Sequence, residues 1–185
     1  MTRAASVGDG DRLRLFLALQ LPAETLDRVV DWQTRHLERG RLVPREHLHV
    51  TLAFLGSRPS SELQAIVDAL RRSLDGVGAL PLAPRRWRET RSVGMVVLDD
   101  LGGGATALAE RLHARLAELD VYLPEARAWL PHLTMLRFRE RPRLRPPLPE
   151  TGTFVPSGAA AYLSRLHPTG ARYEVLDRVS LNAGG

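Results

Sequence analysis

His47-Leu48-His49-Val50-Thr51-Leu52-Ala53-Phe54-Leu55-Gly56 alternates side chains with a period of two. Successive residues of a strand point to opposite faces. The segment therefore predicts a strand with Leu48, Val50, Leu52 and Phe54 on one face. His47, His49, Thr51 and Ala53 lie on the other, and Gly56 ends the strand. A second segment, residues 130–138, also reads as a strand and carries the same tripeptide pattern. His49-Val50-Thr51 and His132-Leu133-Thr134 place two His-x-Thr units 83 residues apart.

Around these strands the chain mixes helical and extended patterns. Residues 1–12 are small and polar and read as a disordered leader before a single catalytic unit over 13–185. Residues 13–19 form a strand with Leu13, Leu15, Leu17 and Leu19 on one face. Pro22 opens a helix whose Leu26, Val29, Val30, Gln33 and Leu37 recur at helical spacing until Gly40. Ser60 or Ser61 caps a second helix with Leu63, Ile66, Val67, Leu70 and Leu74 as its stripe. Strands at 80–88 and 93–98 follow, then a Gly102-Gly103-Gly104 break. A third helix carries Leu108, Leu112, Leu116 and Leu119. Strands at 154–166 and 172–181, joined by a turn at 167–170, close the chain. This order predicts an α+β fold, with helices outside largely antiparallel sheets. Each half holds a strand, a helix and a His-x-Thr strand, which suggests a duplication.

Composition removes whole chemistries. All 26 basic residues are arginine, against 21 acidic ones, and there is no cysteine. Without lysine there is no Schiff base, no lysyl-nucleotide and no Walker A loop. Without cysteine there is no thiol nucleophile, iron–sulfur cluster or disulfide. The net charge of +5 points to an anionic partner. No apolar run approaches the length of a membrane span, and no signal-peptide pattern is present, which places the chain in the cytoplasm.

The two His-x-Thr strands suit phosphodiester chemistry. On a strand, residues i and i+2 share a face, so each imidazole sits beside a hydroxyl. One neutral His can take a proton from water while a protonated one gives its proton to a leaving oxygen. Two Thr hydroxyls can donate to phosphate oxygens. A single His-x-Thr arises often by chance; two, both on strands and both facing away from an apolar face, are harder to dismiss. Two His could also hold zinc, but no third ligand follows at a usual spacing. A pocket that binds RNA ends or nucleotides without turnover is the competing function. Gly102–Gly104 reads as a loop rather than a phosphate cradle. His113 and His36 read as solvated, and His167 as a turn residue.

The segments His47–Gly56 and Pro131-His132-Leu133-Thr134-Met135-Leu136-Arg137 resemble the paired signatures of the two-histidine phosphoesterase superfamily. Within it the similarity is to the RNA 2′,3′-cyclic phosphodiesterases, historically called 2′-5′ RNA ligases. Arg14-Leu15-Phe16-Leu17-Ala18-Leu19 and residues 162–175 fit the same branch, so the resemblance covers most of 13–181. It implies a bilobal fold of two pseudo-symmetric lobes around a central cleft. It further implies hydrolysis of RNA 2′,3′-cyclic phosphate ends to 2′-phosphates without metal; small cyclic nucleotides present a similar phosphate, no cofactor is expected, and a monomer is the default. His49 would be the proton donor and His132 the proton acceptor, with Thr51 and Thr134 on the phosphate. Residues alone leave the two His equivalent. Arg137, although one residue out of phase with His132 and Thr134, matches the family pattern. Phe16 and Tyr173 are candidates to stack a base, and His47 to line the cleft. Arg137, Arg139, Arg141, Arg143 and Arg145 form either a strip for an RNA backbone or a solvated edge. The Arg- and Trp-rich segment 84–93 departs from the family pattern, which leaves no substrate contact assigned there.

Overall fold

The computed structural model describes residues 11–168 and 170–181. Most of the expected leader lies outside the described residues. Arg12, which the sequence pattern places in that leader, is the first residue of strand β1 (Arg12–Gln20). It is anchored there by bonds from its guanidinium to Ser57 Oγ and the Ser57 carbonyl.

The remaining elements are α1 (Ala23–His36), β2 (Arg41–Leu42), β3 (His49–Pro59), α2 (Leu63–Leu74), β4 (Leu82–Glu89), β5 (Val93–Asp100), α3 (Gly104–Glu118), β6 (His132–Arg137), β7 (Gly158–His167) and β8 (Gly170–Ser180). One sheet holds all eight strands in the order β4-β5-β6-β3-β1-β7-β8, with β2 paired to β6. Every pairing is antiparallel. The expected pair of lobes is therefore two arms of one sheet, β4-β5-β6 and β3-β1-β7-β8. They meet where β3 pairs β6 through Val50 and Leu133.

The three helices pack on one face of this sheet. Leu13, Leu15, Leu17 and Leu19 of β1 join Val50, Leu52, Val96, Leu98 and Leu133 in the main core. Val29 and Trp32 of α1, Ile66 and Leu70 of α2, and Leu108, Leu112 and Leu116 of α3 cover them. Burial of large side chains at these helical spacings is the main favourable term holding helix to sheet. The opposite face of β1 is also dry, since Phe16 and Ala18 form a small cluster with Ala160 and Tyr162. That double burial explains why residues 15–19 run apolar without alternation.

Expectations about the ends of several elements change: Ser60 and Ser61 form a 3-10 turn with Glu62 instead of capping α2, whose N-cap is Glu62. Gly56 does not end the strand; with φ of 66° it sits within β3, which runs on to Pro59. The last hairpin starts at Gly158 rather than 154, because Pro156 has no N–H for a ladder. Phe154 instead makes a lone bridge to Leu82. The Gly102–Gly104 turn precedes α3 as expected, and the Asp100 carboxylate occupies that helix N-terminus. It accepts from the backbone N–H of Ala105 at 3.2 Å and Thr106 at 2.7 Å, satisfying donors that a phosphate would otherwise use.

Gly40 ends the α1 connection with φ of 97°, and a Cβ there would come within 2.7 Å of the Arg137 carbonyl oxygen. Gly40→Ala is expected to destabilise the fold by about 1–3 kcal/mol, measured by denaturant unfolding; an unchanged midpoint would contradict this account.

Candidate active site

The register Val50↔Leu133 between antiparallel strands sets the geometry of the two motifs. Stepping one residue either way puts His49 opposite Thr134 and Thr51 opposite His132. Each imidazole thus faces the other motif's hydroxyl residue, and all four residues share one face. His49, Thr51, His132 and Thr134 line a single cleft of about 730 Å³.

A β-bulge follows each motif. Against β1, Leu17 pairs Ala53 while Ala18 pairs Thr51, which leaves Leu52 as an extra residue. Against β5, Gly94 pairs Leu136 while Met95 pairs Thr134, which leaves Met135 extra. An extra residue reverses the inward–outward phase beyond it. Phe54, expected on the core face with Leu52, is therefore turned to the cleft and is 65% exposed. Arg137, out of phase by simple alternation, is returned to the cleft by the Met135 bulge. Simple period-two counting fails at both places for the same reason.

The carbonyl of each bulged residue is held by a helix side chain. His113 of α3 donates from Nε2 to the Leu52 oxygen at 2.7 Å, and its ring stacks on Tyr122. Gln33 of α1 donates from Nε2 to the Met135 oxygen at 2.8 Å and to the Val43 oxygen at 3.1 Å. Trp129 donates from Nε1 to the Thr51 carbonyl at 3.0 Å. His113 is thus half-buried and engaged rather than solvated, because helix α3 packs on β3 at that point. Gln33 sits in the apolar stripe of α1, and a polar residue in such a stripe is the signal that marks it. Trp129 has no comparable signal.

The other candidates fall as follows. His47 does not extend the strand; it ends a 3-10 turn, Arg45–His47, with its N–H bonded to the Pro44 carbonyl. It still lines the cleft, its ring 4.3 Å from that of Tyr173. Phe16 is buried and lies flat on Tyr162, with ring centroids 4.8 Å apart. It forms the floor beneath His49, 4.9 Å away. Tyr173 stands edge-on to Phe16 and lines the cleft. His167 is exposed at the end of β7 and His36 is half-buried near Trp32. Among the described residues no three His, Asp or Glu side chains gather as a metal-ligand set.

Both site imidazoles are oriented through Nδ1. His49 Nδ1 donates to the His47 carbonyl at 2.7 Å and His132 Nδ1 to the Leu130 carbonyl at 2.9 Å. A carbonyl only accepts, so in each ring Nε2 is left to exchange a proton. Thr51 Oγ1 lies 3.1 Å from His49 Nε2. Burial pushes the His49 pKa down to about 4, helped by the positive charges that His132, His47 and Arg137 bring, against the opposing bond to the His47 carbonyl. His47 is lowered as well, first by burial and then by Arg137 and Arg41, with Glu46 opposing.

A curled antiparallel sheet backed by three helices, with two His-x-Thr strands meeting at its centre, is the two-histidine phosphoesterase architecture. The model of the 2′-5′ RNA ligase superfamily matches residues 21–167. An RNA 2′,3′-cyclic phosphodiesterase of Thermus thermophilus is 35% identical, the match covering 91% of this chain and 90% of that protein. One of Escherichia coli is 28% identical, with 91% and 96% covered. The crystal structure of E. coli LigT complexed with 3′-AMP superposes with a TM-score of 0.78 at 26% identity, covering 92% of this chain and 99% of that one. TT0787 of T. thermophilus gives 0.80 at 32% identity, with 94% and 100% covered. The chain belongs to the 2′-5′ RNA ligase superfamily.

Two outcomes are expected. Gln33→Leu removes a donor from the Val43 carbonyl and leaves the Met135 carbonyl with the Val43 N–H, and should cost about 1–3 kcal/mol in denaturant unfolding; retention of full stability would remove Gln33 from this role. Because a nearby anion favours imidazolium, saturating inorganic phosphate should raise the His49 pKa above about 4 in a ring-proton NMR titration. No movement would mean that the anion does not sit beside His49.

Proposed function

We propose that the protein hydrolyses RNA 2′,3′-cyclic phosphate ends to 2′-phosphate ends. The observation that carries this reading is the crossed arrangement of two imidazoles and two threonines on one face of the sheet. It is supported by relatives called RNA 2′,3′-cyclic phosphodiesterase and by a fold shared with a protein crystallised with 3′-AMP and with phosphate.

The cyclic phosphate sits between the motifs, its non-bridging oxygens accepting from Thr51 and Thr134, with Arg137 adding positive charge. His132 Nε2 takes a proton from water, whose oxygen attacks phosphorus. The bond from phosphorus to O3′ breaks, and O3′ receives the proton that His49 Nε2 carried. The products are a 2′-phosphate and a free 3′-hydroxyl. Solvent exchange then returns a proton to His49 and removes one from His132.

The free-protein electrostatics make the donor role conditional. A His49 pKa near 4 leaves that ring neutral at pH 7. The substrate's negative charge must offset first the burial of His49 and then the positive charge of Arg137 before His49 can hold its proton. Protonation of the acid is thus coupled to phosphate binding, which guards against an idle imidazolium in an empty site. Tyr173 and exposed Phe54 offer π-faces for the terminal base, and His47 edges the same side; Phe16, buried beneath His49 and Tyr173, is packed rather than free to stack.

A monomeric, cytoplasmic enzyme that uses neither metal nor cofactor completes the reading. No helix among the described residues is long and apolar enough to cross a membrane. Any strand joining by this chain is ATP-independent attack of a 5′-hydroxyl, in place of water, on the cyclic phosphate at the same site, since the sequence has no lysine to carry a nucleotide.

His49→Ala and His132→Ala should each lower kcat on a cyclic-phosphate RNA by about 10²–10⁴-fold in EDTA, with unfolding midpoints near that of the parent. Thr51→Val and Thr134→Val should each cost about 10²-fold. Product analysis should give a 2′-phosphate. Undiminished turnover in either histidine variant, or a 3′-phosphate product, would overturn the assignment.

A further inference from the structure

Segment 84–93, which the family pattern leaves without a role, forms most of edge strand β4. Its register links it to the cleft. Arg86 pairs Val97, and Val97 pairs His132; Arg88 pairs Met95, and Met95 pairs Thr134. Residues directly paired on neighbouring strands point to the same face. Arg86 and Arg88 therefore end two cross-strand rows that begin at His132 and Thr134. With strands about 4.8 Å apart, their backbones lie roughly 10 Å from the His-x-Thr strand.

The outer side of β4 is built up by the Pro-rich segment that follows Arg139. Glu89, whose side chain is only 2% exposed, pins it. Its carboxylate accepts from Leu144 N at 2.7 Å, Arg143 N at 3.0 Å, Arg141 Nε at 3.2 Å and Trp87 Nε1 at 3.3 Å. Arg143 is held with φ of 56°, a backbone conformation L residues seldom adopt. The result is a groove of about 710 Å³ between β4 and this segment, lined by Arg86, Arg88, Arg141, Arg143 and Arg145. Glu89 is its one carboxylate, and four donors already occupy it. Among the described residues Arg86, Arg88, Arg143 and Arg145 have no carboxylate within ion-pair distance. Four unpaired guanidiniums around one concave groove suit the planar, bidentate contacts that phosphodiesters accept.

We propose that this groove binds the phosphodiester backbone of the RNA strand upstream of the reacting end, so that the protein is built for polymer ends rather than mononucleotides. The proposal rests on the function proposed above and deepens it by naming the substrate class. Direction favours RNA over an acidic protein segment: the rows from Arg86 and Arg88 lead across the sheet to the histidines, so one strand could occupy groove and cleft together.

The test compares a nucleoside 2′,3′-cyclic monophosphate with a ten-nucleotide RNA ending in a 2′,3′-cyclic phosphate. The variants are Arg86→Gln/Arg88→Gln and Arg143→Gln/Arg145→Gln. Each should lower kcat/KM for the oligomer about tenfold or more. Its salt dependence should also become shallower, by roughly 0.7 in log–log slope for every phosphate no longer neutralised. Turnover of the mononucleotide should stay at the parent level. Equal effects on both substrates, or no effect on either, would overturn the groove. Binding of the same RNA bearing a 2′-phosphate, followed by fluorescence anisotropy, separates the two readings. If the parent cleaves neither substrate, the proposed activity fails, yet weaker binding by both variants would still support the groove. Unchanged binding would overturn it.

Discussion

Two backbone carbonyls held by helix side chains keep the site in place. The sheet has an extra residue after each His-x-Thr, Leu52 in β3 and Met135 in β6. A bulged residue has no ladder partner, so its carbonyl needs another donor if it is to stay dry. His113 supplies it at Leu52, while the Met135 carbonyl accepts from both Gln33 and the Val43 N–H. These bonds tie helix position to strand phase. Loss of either bulge would turn Phe54 or Arg137 away from the cleft while leaving the histidines in place. The resemblance between the two halves is thus stronger in this device than in their sequences.

Electrostatics divide the molecule's arginines into two uses. Arg137 stands at the cleft, close enough to lower both His47 and His49. Burial does most to keep those rings neutral in the free protein, and the Arg137 charge adds to it. The arginines on β4 and the Pro-rich segment lie outside that cleft, around a carboxylate that serves structure rather than neutralisation. Exposed pairs such as Arg28–Glu24 and Arg127–Glu125 contribute little to stability in water. The composition is uniformly arginine, yet only position tells these roles apart.

Much of the chain is legible from its residue pattern. Three helices, the order of the main strands and the α+β class follow from apolar spacing, since burial of one face leaves a 3.6- or 2-residue period. The two His-x-Thr units are legible because strand alternation puts i and i+2 together whatever the neighbours are. Where the pattern misleads, a local irregularity or a long-range contact intervenes. Period-two counting puts Phe54 in the core because a bulge is invisible to it. The same counting extends the strand to His47, although the Pro44 turn lifts that residue out. His113 reads as solvated because its acceptor lies 61 residues away.

By itself the sequence determined which chemistries are available: acid–base work by imidazole and phosphate contacts by hydroxyl and guanidinium, with no lysine amine or thiol. Those follow from side-chain identity, which folding does not alter. Only the tertiary structure decided that the two motifs meet, through the single Val50–Leu133 pairing that crosses each histidine with the other threonine. It also decided that His49 is neutral when the cleft is empty, since burial and neighbouring charge set a pKa. Register and solvent exclusion are properties of distant segments brought together, and no local pattern of residues encodes them.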